Sequence, residues 1–122
     1  MQDRALRDEP LDQDRGAWVI SSRPQLMLSL RFKDGNRRAL SYTELCGTEY
    51  KKDVLALFFY QATIRMRGKG LDELADGVER QCAQIVREQH IAEFRADEAS
   101  RYIERVEIGQ PNIEALSGRR LD

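Results

Sequence analysis

Cations occupy every second position of Arg65-Met66-Arg67-Gly68-Lys69, and Arg31, Lys33, Arg37 and Arg38 surround the dipeptide Asp34-Gly35. Alternate residues of a strand share a face, so the first group presents three positive charges on one side of a sheet. Such a basic face suits the phosphates of a nucleic acid, whose binding is dominated by charge. Tyr42, Tyr50 and Tyr60 would supply stacking surfaces for bases. Arg31, Arg38, Arg65 and Arg67 are therefore the candidate nucleic-acid-binding residues. The plainer reading of exposed arginines on a strand is that they solvate the face and discourage edge-to-edge pairing with other chains.

Other chemistry is thinly represented. Gly68-Lys69-Gly70 stands before a helical pattern, where backbone amides at a glycine-rich helix start can hold phosphate. Glu73 occupies the place of a third glycine, however, and together with Asp72 it would repel an anion. Small residues in a tight strand-to-helix turn are the simpler account. His90 is expected at a helix C-terminus, where the dipole stabilises a charged imidazole. Cys46 and Cys82 form neither a disulfide framework nor a metal-ligand spacing, and Cys82 reads as a small core residue. There is no G-x-S-x-G elbow, no C-x-x-C and no H-x-x-x-H. Catalytic, cofactor-binding and metal-binding residues are accordingly assigned as none, and the chain is not expected to be an enzyme.

The elements that must position these residues centre on Val54 to Gln89. Apolar residues fill the even positions from Val54 to Met66, while the odd positions change from Leu55, Leu57 and Phe59 to Gln61, Thr63, Arg65 and Arg67. One face is thus expected to stay buried and the other to emerge into solvent. The run exceeds the usual strand of about 5–6 residues, so it is either one bent strand or a reversal near Tyr60-Gln61. At about 100° per residue, Leu71, Leu74, Ala75, Val78, Cys82, Ile85 and Val86 fall within roughly 120°, which predicts an amphipathic helix from Leu71 to Gln89. Gly77 weakens that helix by about 1 kcal/mol relative to Ala.

Upstream, Leu26, Leu28, Leu30 and Phe32 alternate with polar or exposed positions as a half-buried strand does, and Asp34-Gly35 should reverse it. A two-residue loop sets Leu30 against Ala39. A three-residue loop over Asp34–Asn36 sets Leu30 against Leu40 and Leu28 against Tyr42, and is preferred because large apolar side chains then share a face. Thr43 to Tyr50 reads as a further short strand. Tyr102 to Ile108 fits either a short helix or a last strand, and the strand is preferred because β-branched residues are frequent and Gly109-Gln110-Pro111-Asn112 stops it sharply; meander pairing is the economical topology. Residues 1–23 read as a flexible arm carrying an apolar Trp18 patch, 24–108 as one domain, and 109–122 as a tail.

The 122 residues allow one modest core, and with 41% hydrophobic and 34% charged residues the chain has the composition of a globular protein. The longest apolar run is far shorter than the ~20 residues of a membrane helix, and the charged N-terminus does not resemble a secretory signal. A cytoplasmic setting without membrane contact is the expectation. Residues 31–69 hold nine Lys/Arg against four Asp/Glu, whereas residues 71–94 hold two against six. That split suits either a polyanion or the docking of one copy against another.

The order of a strand, Asp34-Gly35, a strand, a short strand and an apolar strand, then IRMRGKGLDEL entering a helix, resembles a class of small uncharacterised bacterial proteins with Sm-like or SH3-like curved sheets. The resemblance spans roughly residues 25–88 and implies a small curved sheet that can oligomerise. It carries over no functional residue, because Sm-like proteins place their helix before the strands. The resulting expectation is an α+β fold: a strongly curved antiparallel sheet of four to five strands, barrel-like, followed by one packed helix. Function is expected to be that of a non-catalytic interaction module that self-associates as a homo-oligomer or binds another protein. The alternative is a nucleic-acid binder using the basic sheet face.

Overall fold

The computed structural model describes residues 16–90 and 100–114. The described residues form an α+β fold, with two four-stranded sheets and an α-helix. Sheet A contains β1 (Trp18–Ile20), β2 (Met27–Arg31), β3 (Arg37–Ser41) and β7 (Ala83–Arg87), in the order β1-β7-β2-β3. Sheet B contains β4 (Leu45–Lys51), β5 (Val54–Phe59), β6 (Ala62–Lys69) and β8 (Tyr102–Gly109), in the order β4-β5-β6-β8. Helix α1 (Leu71–Glu79) joins β6 to β7. The expected single curved sheet of four to five strands is therefore two sheets of four, and they do not close into a barrel. Among the described residues, no helix is long and apolar enough to cross a membrane.

One face of each sheet and one stripe of α1 build a common core. Leu28, Leu30, Leu40 and Val86 come from sheet A, Leu55, Leu57, Phe59, Ile64, Met66 and Ile103 from sheet B, and Leu71, Leu74 and Val78 from the helix. Glu88 and Gln89, which follow β7, tie the sheets together. The Glu88 carboxylate accepts from Lys33 N at 3.0 Å and from Val106 N at 2.8 Å, while Gln89 N donates to the Ile103 carbonyl at 2.8 Å. The edge strand β8 is thereby held by a segment that continues out of sheet A.

Three local decisions separate this fold from the expectation. The long apolar run reverses at Tyr60-Gln61, so that Phe59 pairs with Ala62, Leu57 with Ile64 and Leu55 with Met66. Glu44 pins the reversal: its carbonyl accepts from Tyr60 N at 3.0 Å and its carboxylate from the Gln61 side-chain amide. A two-residue turn exchanges parity, so odd residues of β5 and even residues of β6 line the same core face. The expected continuous even face is thus corrected.

The second decision ends the helix. Gln81 takes a left-handed φ of 63°, Cys82 N donates to the Gly77 carbonyl at 2.8 Å and Gln81 N to the Val78 carbonyl at 2.9 Å. These bonds form a Schellman motif that satisfies the last helical carbonyls. The predicted helix to Gln89 stops at Glu79 instead, and Ala83–Arg87 becomes β7, antiparallel to β1 and parallel to β2. The meander is broken there. The Trp18 segment assigned to a flexible arm supplies β1 and pairs with β7, while residues 1–15 and 115–122 lie outside the described residues. Gly77 gains a reason: a Cβ there would lie 2.9 Å from Ile20 Cδ1, so the missing side chain lets α1 approach β1 closely.

The third decision is the register of β2 with β3. Leu28 pairs with Leu40 and Leu30 with Arg38, neither of the two expected registers. The loop is Lys33-Asp34-Gly35, closed by Phe32 N to the Asn36 carbonyl at 2.9 Å and by Gly35 N to the Phe32 carbonyl at 3.0 Å. Gly35 carries φ of 92°, the left-handed position that a three-residue hairpin loop reserves for glycine. Leu30 recovers a large apolar neighbour on its other side, Val86 of β7.

Candidate functional site

The face of sheet B turned away from the core is ordered by cross-strand register. One row runs Lys51, Val54, Arg67, Arg105; the next runs Glu49, Ala56, Arg65, Glu107; a third runs Gly47, Phe58, Thr63, Gly109. Register partners project to the same side, so these side chains form one surface. Its charges are mostly satisfied from within. Arg105 Nε lies 3.0 Å from Glu107 Oε2, and Lys51 Nζ 3.7 Å from Glu49 Oε2. Arg65 and Arg67 are exposed and make neither an ion pair nor a hydrogen bond among the described residues. They flank a small cleft of about 120 Å³, and Arg65 also borders a wider open depression of about 460 Å³ reaching Thr63 and Gly109.

Structure divides the four arginines singled out from the sequence. Arg65 and Arg67 stand together on β6, whereas Arg31 and Arg38 belong to sheet A. Arg31 shares its face with Ser29, to whose hydroxyl its Nε donates at 3.1 Å. Arg38 pairs with core-facing Leu30, so it projects on the side of sheet A opposite to Arg31, and it is exposed because β3 is an edge strand. Arg31 instead joins Arg37 and Arg87 in a row across β3, β2 and β7. Arg87 Nη1 in turn donates to the Gly16 carbonyl at 3.1 Å.

The tyrosines do not assemble on the basic face. Tyr42 is buried and donates to the Ala83 carbonyl at 2.6 Å; burial pushes its phenol well above the ordinary value. Tyr60 lies in the β5–β6 turn, where a hydrogen bond with Cys46 raises its phenol, and Tyr50 pairs with core-facing Leu55. The aromatic rings on the outer face of sheet B are Phe58, which is buried, and Tyr102, the register partner of Lys69 at the far end of β6. In Gly68-Lys69-Gly70, Lys69 Nζ engages Asp53 Oδ2 at 3.0 Å, which raises the Lys69 pKa. A Cβ at residue 68 would overlap the Tyr102 carbonyl of β8, so this glycine is required by strand packing. His90 lies beyond β7, not at the end of α1 as expected. Cys82 is buried as expected, but in the turn after the helix.

Among the described residues, no group of three His, Cys, Asp or Glu side chains could hold a metal ion. Thr63 shares the face of Arg65 by alternation along β6, whereas Arg105 and Glu107 enter it only through pairing of β6 with β8. The alternation of Arg105 and Glu107 along the last strand was the available signal, but it names no partner strand. No family model, curated protein or solved structure matches this chain.

Proposed function

We propose that the chain is a non-catalytic binding module whose outer sheet B face docks a nucleic-acid strand. The observation that carries this reading is the pair Arg65 and Arg67: two exposed guanidinium groups on one strand, on one face, without a carboxylate partner among the described residues. An uncommitted guanidinium keeps its planar set of donors for phosphate oxygens, and rigid strand spacing fixes where each points. Lys51 and Arg105 extend the cationic row across the sheet. Fluorescence anisotropy of labelled single-stranded RNA and duplex DNA, at low and high salt, tests the reading. Affinity should fall steeply with salt and fall again in Arg65→Ala/Arg67→Ala. Unchanged affinity in that double variant removes the face from consideration.

Self-association is the second reading, favoured by a separate observation. Leu26 and Met27 remain 86% and 48% exposed beside β3, the open edge of sheet A. Two copies meeting along that edge would cover both side chains and pair the free backbone groups. Sedimentation equilibrium across a wide concentration range decides it: a strict monomer ends this reading.

A further inference from the structure

We infer that the depression between β6 and β8 is a seat for a phosphate-class oxyanion, with the Thr63 hydroxyl and the Arg65 guanidinium as its donors. The inference uses the same face as the nucleic-acid reading and adds a specific subsite to it.

The first observation is an orphan. Thr63 is only 5% exposed, and its Oγ1 has no hydrogen-bond partner among the described residues. Leaving a buried hydroxyl unpaired is costly, and most such groups in folded proteins are paired. Valine has nearly the same shape, suits a strand equally well and would avoid that penalty. A ligand that accepts from the hydroxyl accounts for its presence.

The second observation is the space around it. Thr63 pairs with Phe58 on one side and Gly109 on the other, and Gly47 lies beyond Phe58. With no side chain at Gly109, β8 leaves the Thr63 row open, and the depression of about 460 Å³ lies over it. Arg65, two positions along β6, shares this face and borders the same depression. A phosphate has enough oxygens to take two parallel bonds from the arginine fork and a third from the threonine, which a planar carboxylate held by the same fork does less well. The Thr63 hydroxyl is itself buried, so a neighbouring side chain must shift to admit the anion to it.

Glu107 also lines the depression, and its charge opposes an anion. Its Oε2 is engaged by Arg105 Nε at 3.0 Å, which compensates that charge in part. Glu107→Gln should therefore tighten phosphate binding.

The test is a titration of isotope-labelled full chain with inorganic phosphate, against sodium chloride at matched ionic strength, following backbone amides and the Thr63 methyl by NMR. Saturable shifts are expected at Thr63, Arg65, Gly109 and Gln110. Thr63→Val should weaken phosphate binding about tenfold or more and, without phosphate, raise the unfolding midpoint; Thr63→Ser should bind nearly as the parent does. Equal phosphate affinity in Thr63→Val, or shifts that chloride reproduces, overturns the inference. A single-stranded oligonucleotide arm separates the sources of phosphate. Oligonucleotide that competes with phosphate and binds Thr63→Val more weakly places a backbone phosphate in the seat. Phosphate binding without oligonucleotide binding supports a free phosphate compound and ends the nucleic-acid reading. Oligonucleotide bound equally by parent and Thr63→Val, while phosphate binding is weakened, leaves the nucleic-acid reading intact and assigns the seat to a free phosphate compound.

Discussion

The two sheets treat their arginines differently. In sheet A, Arg37, Arg31 and Arg87 are direct cross-strand neighbours, a spacing of about 5 Å that makes them the denser cluster. Yet Arg31 is bonded to Ser29 and Arg87 to the Gly16 carbonyl, so much of that row is fastened to its own chain. In sheet B, Arg65 and Arg67 are farther apart but carry no such bonds among the described residues. Charge density and availability are thus separate properties. The face with the free donors, not the one with the most charge, is the better candidate for a partner.

The sharpest way to break this comparison is to remove the free pair. Arg65→Ala/Arg67→Ala should lower nucleic-acid affinity about ten- to hundredfold and reduce the slope of log affinity against log salt by about 2. Its stability in denaturant should stay within about 0.5 kcal/mol of the parent.

Glu88→Ala should give the opposite pattern. Its carboxylate bridges the β2–β3 turn and β8, so its loss should cost about 1–3 kcal/mol in urea unfolding while nucleic-acid affinity holds. Next comes Tyr42→Phe, which deletes the bond to the Ala83 carbonyl and should cost about 1 kcal/mol.

Tyr42 also predicts a pH dependence. Its folded pKa lies above the ordinary value near 10, so the neutral phenol is favoured by folding. The stabilisation is complete below pH ~10 and is lost as pH rises above it, because only the unfolded chain then releases the proton readily. The midpoint of thermal unfolding should fall above pH ~10, and less steeply in Tyr42→Phe. The smallest effect on binding belongs to Arg31→Ala/Arg37→Ala, with nucleic-acid affinity within about twofold of the parent. A loss matching that of the sheet B pair would erase the distinction between the two faces.

Much of the local structure is legible in the sequence. Alternation marked β2, β-branched residues before the stop at Gly109-Gln110-Pro111 favoured β8 over a short helix, Asp34-Gly35 marked the hairpin, and the spacing of Leu71, Leu74, Ala75 and Val78 marked α1 together with its buried stripe. The helix end was not legible, because Cys82, Ile85 and Val86 continue the stripe at 100° per residue while Ala83 and Ile85 also alternate. A left-handed Gln81 and hydrogen bonding to β1 and β2 resolved that ambiguity in favour of a strand. Alternation exposed Arg65 and Arg67 as a pair, but could not place Thr63 beside Gly109 or Arg65 beside Glu107.

By itself, then, the sequence determined side-chain periods, turn chemistry and the charges carried by each segment. These follow from short-range sterics and from the preference of apolar groups for burial, which act on neighbouring residues. Only the tertiary structure decided which strands pair, which parity faces the core after the Tyr60-Gln61 reversal, and which arginines share a surface. Those outcomes depend on hydrogen bonds between residues far apart in the chain, and a shift of one position in any of them changes the face on which every side chain of that strand appears.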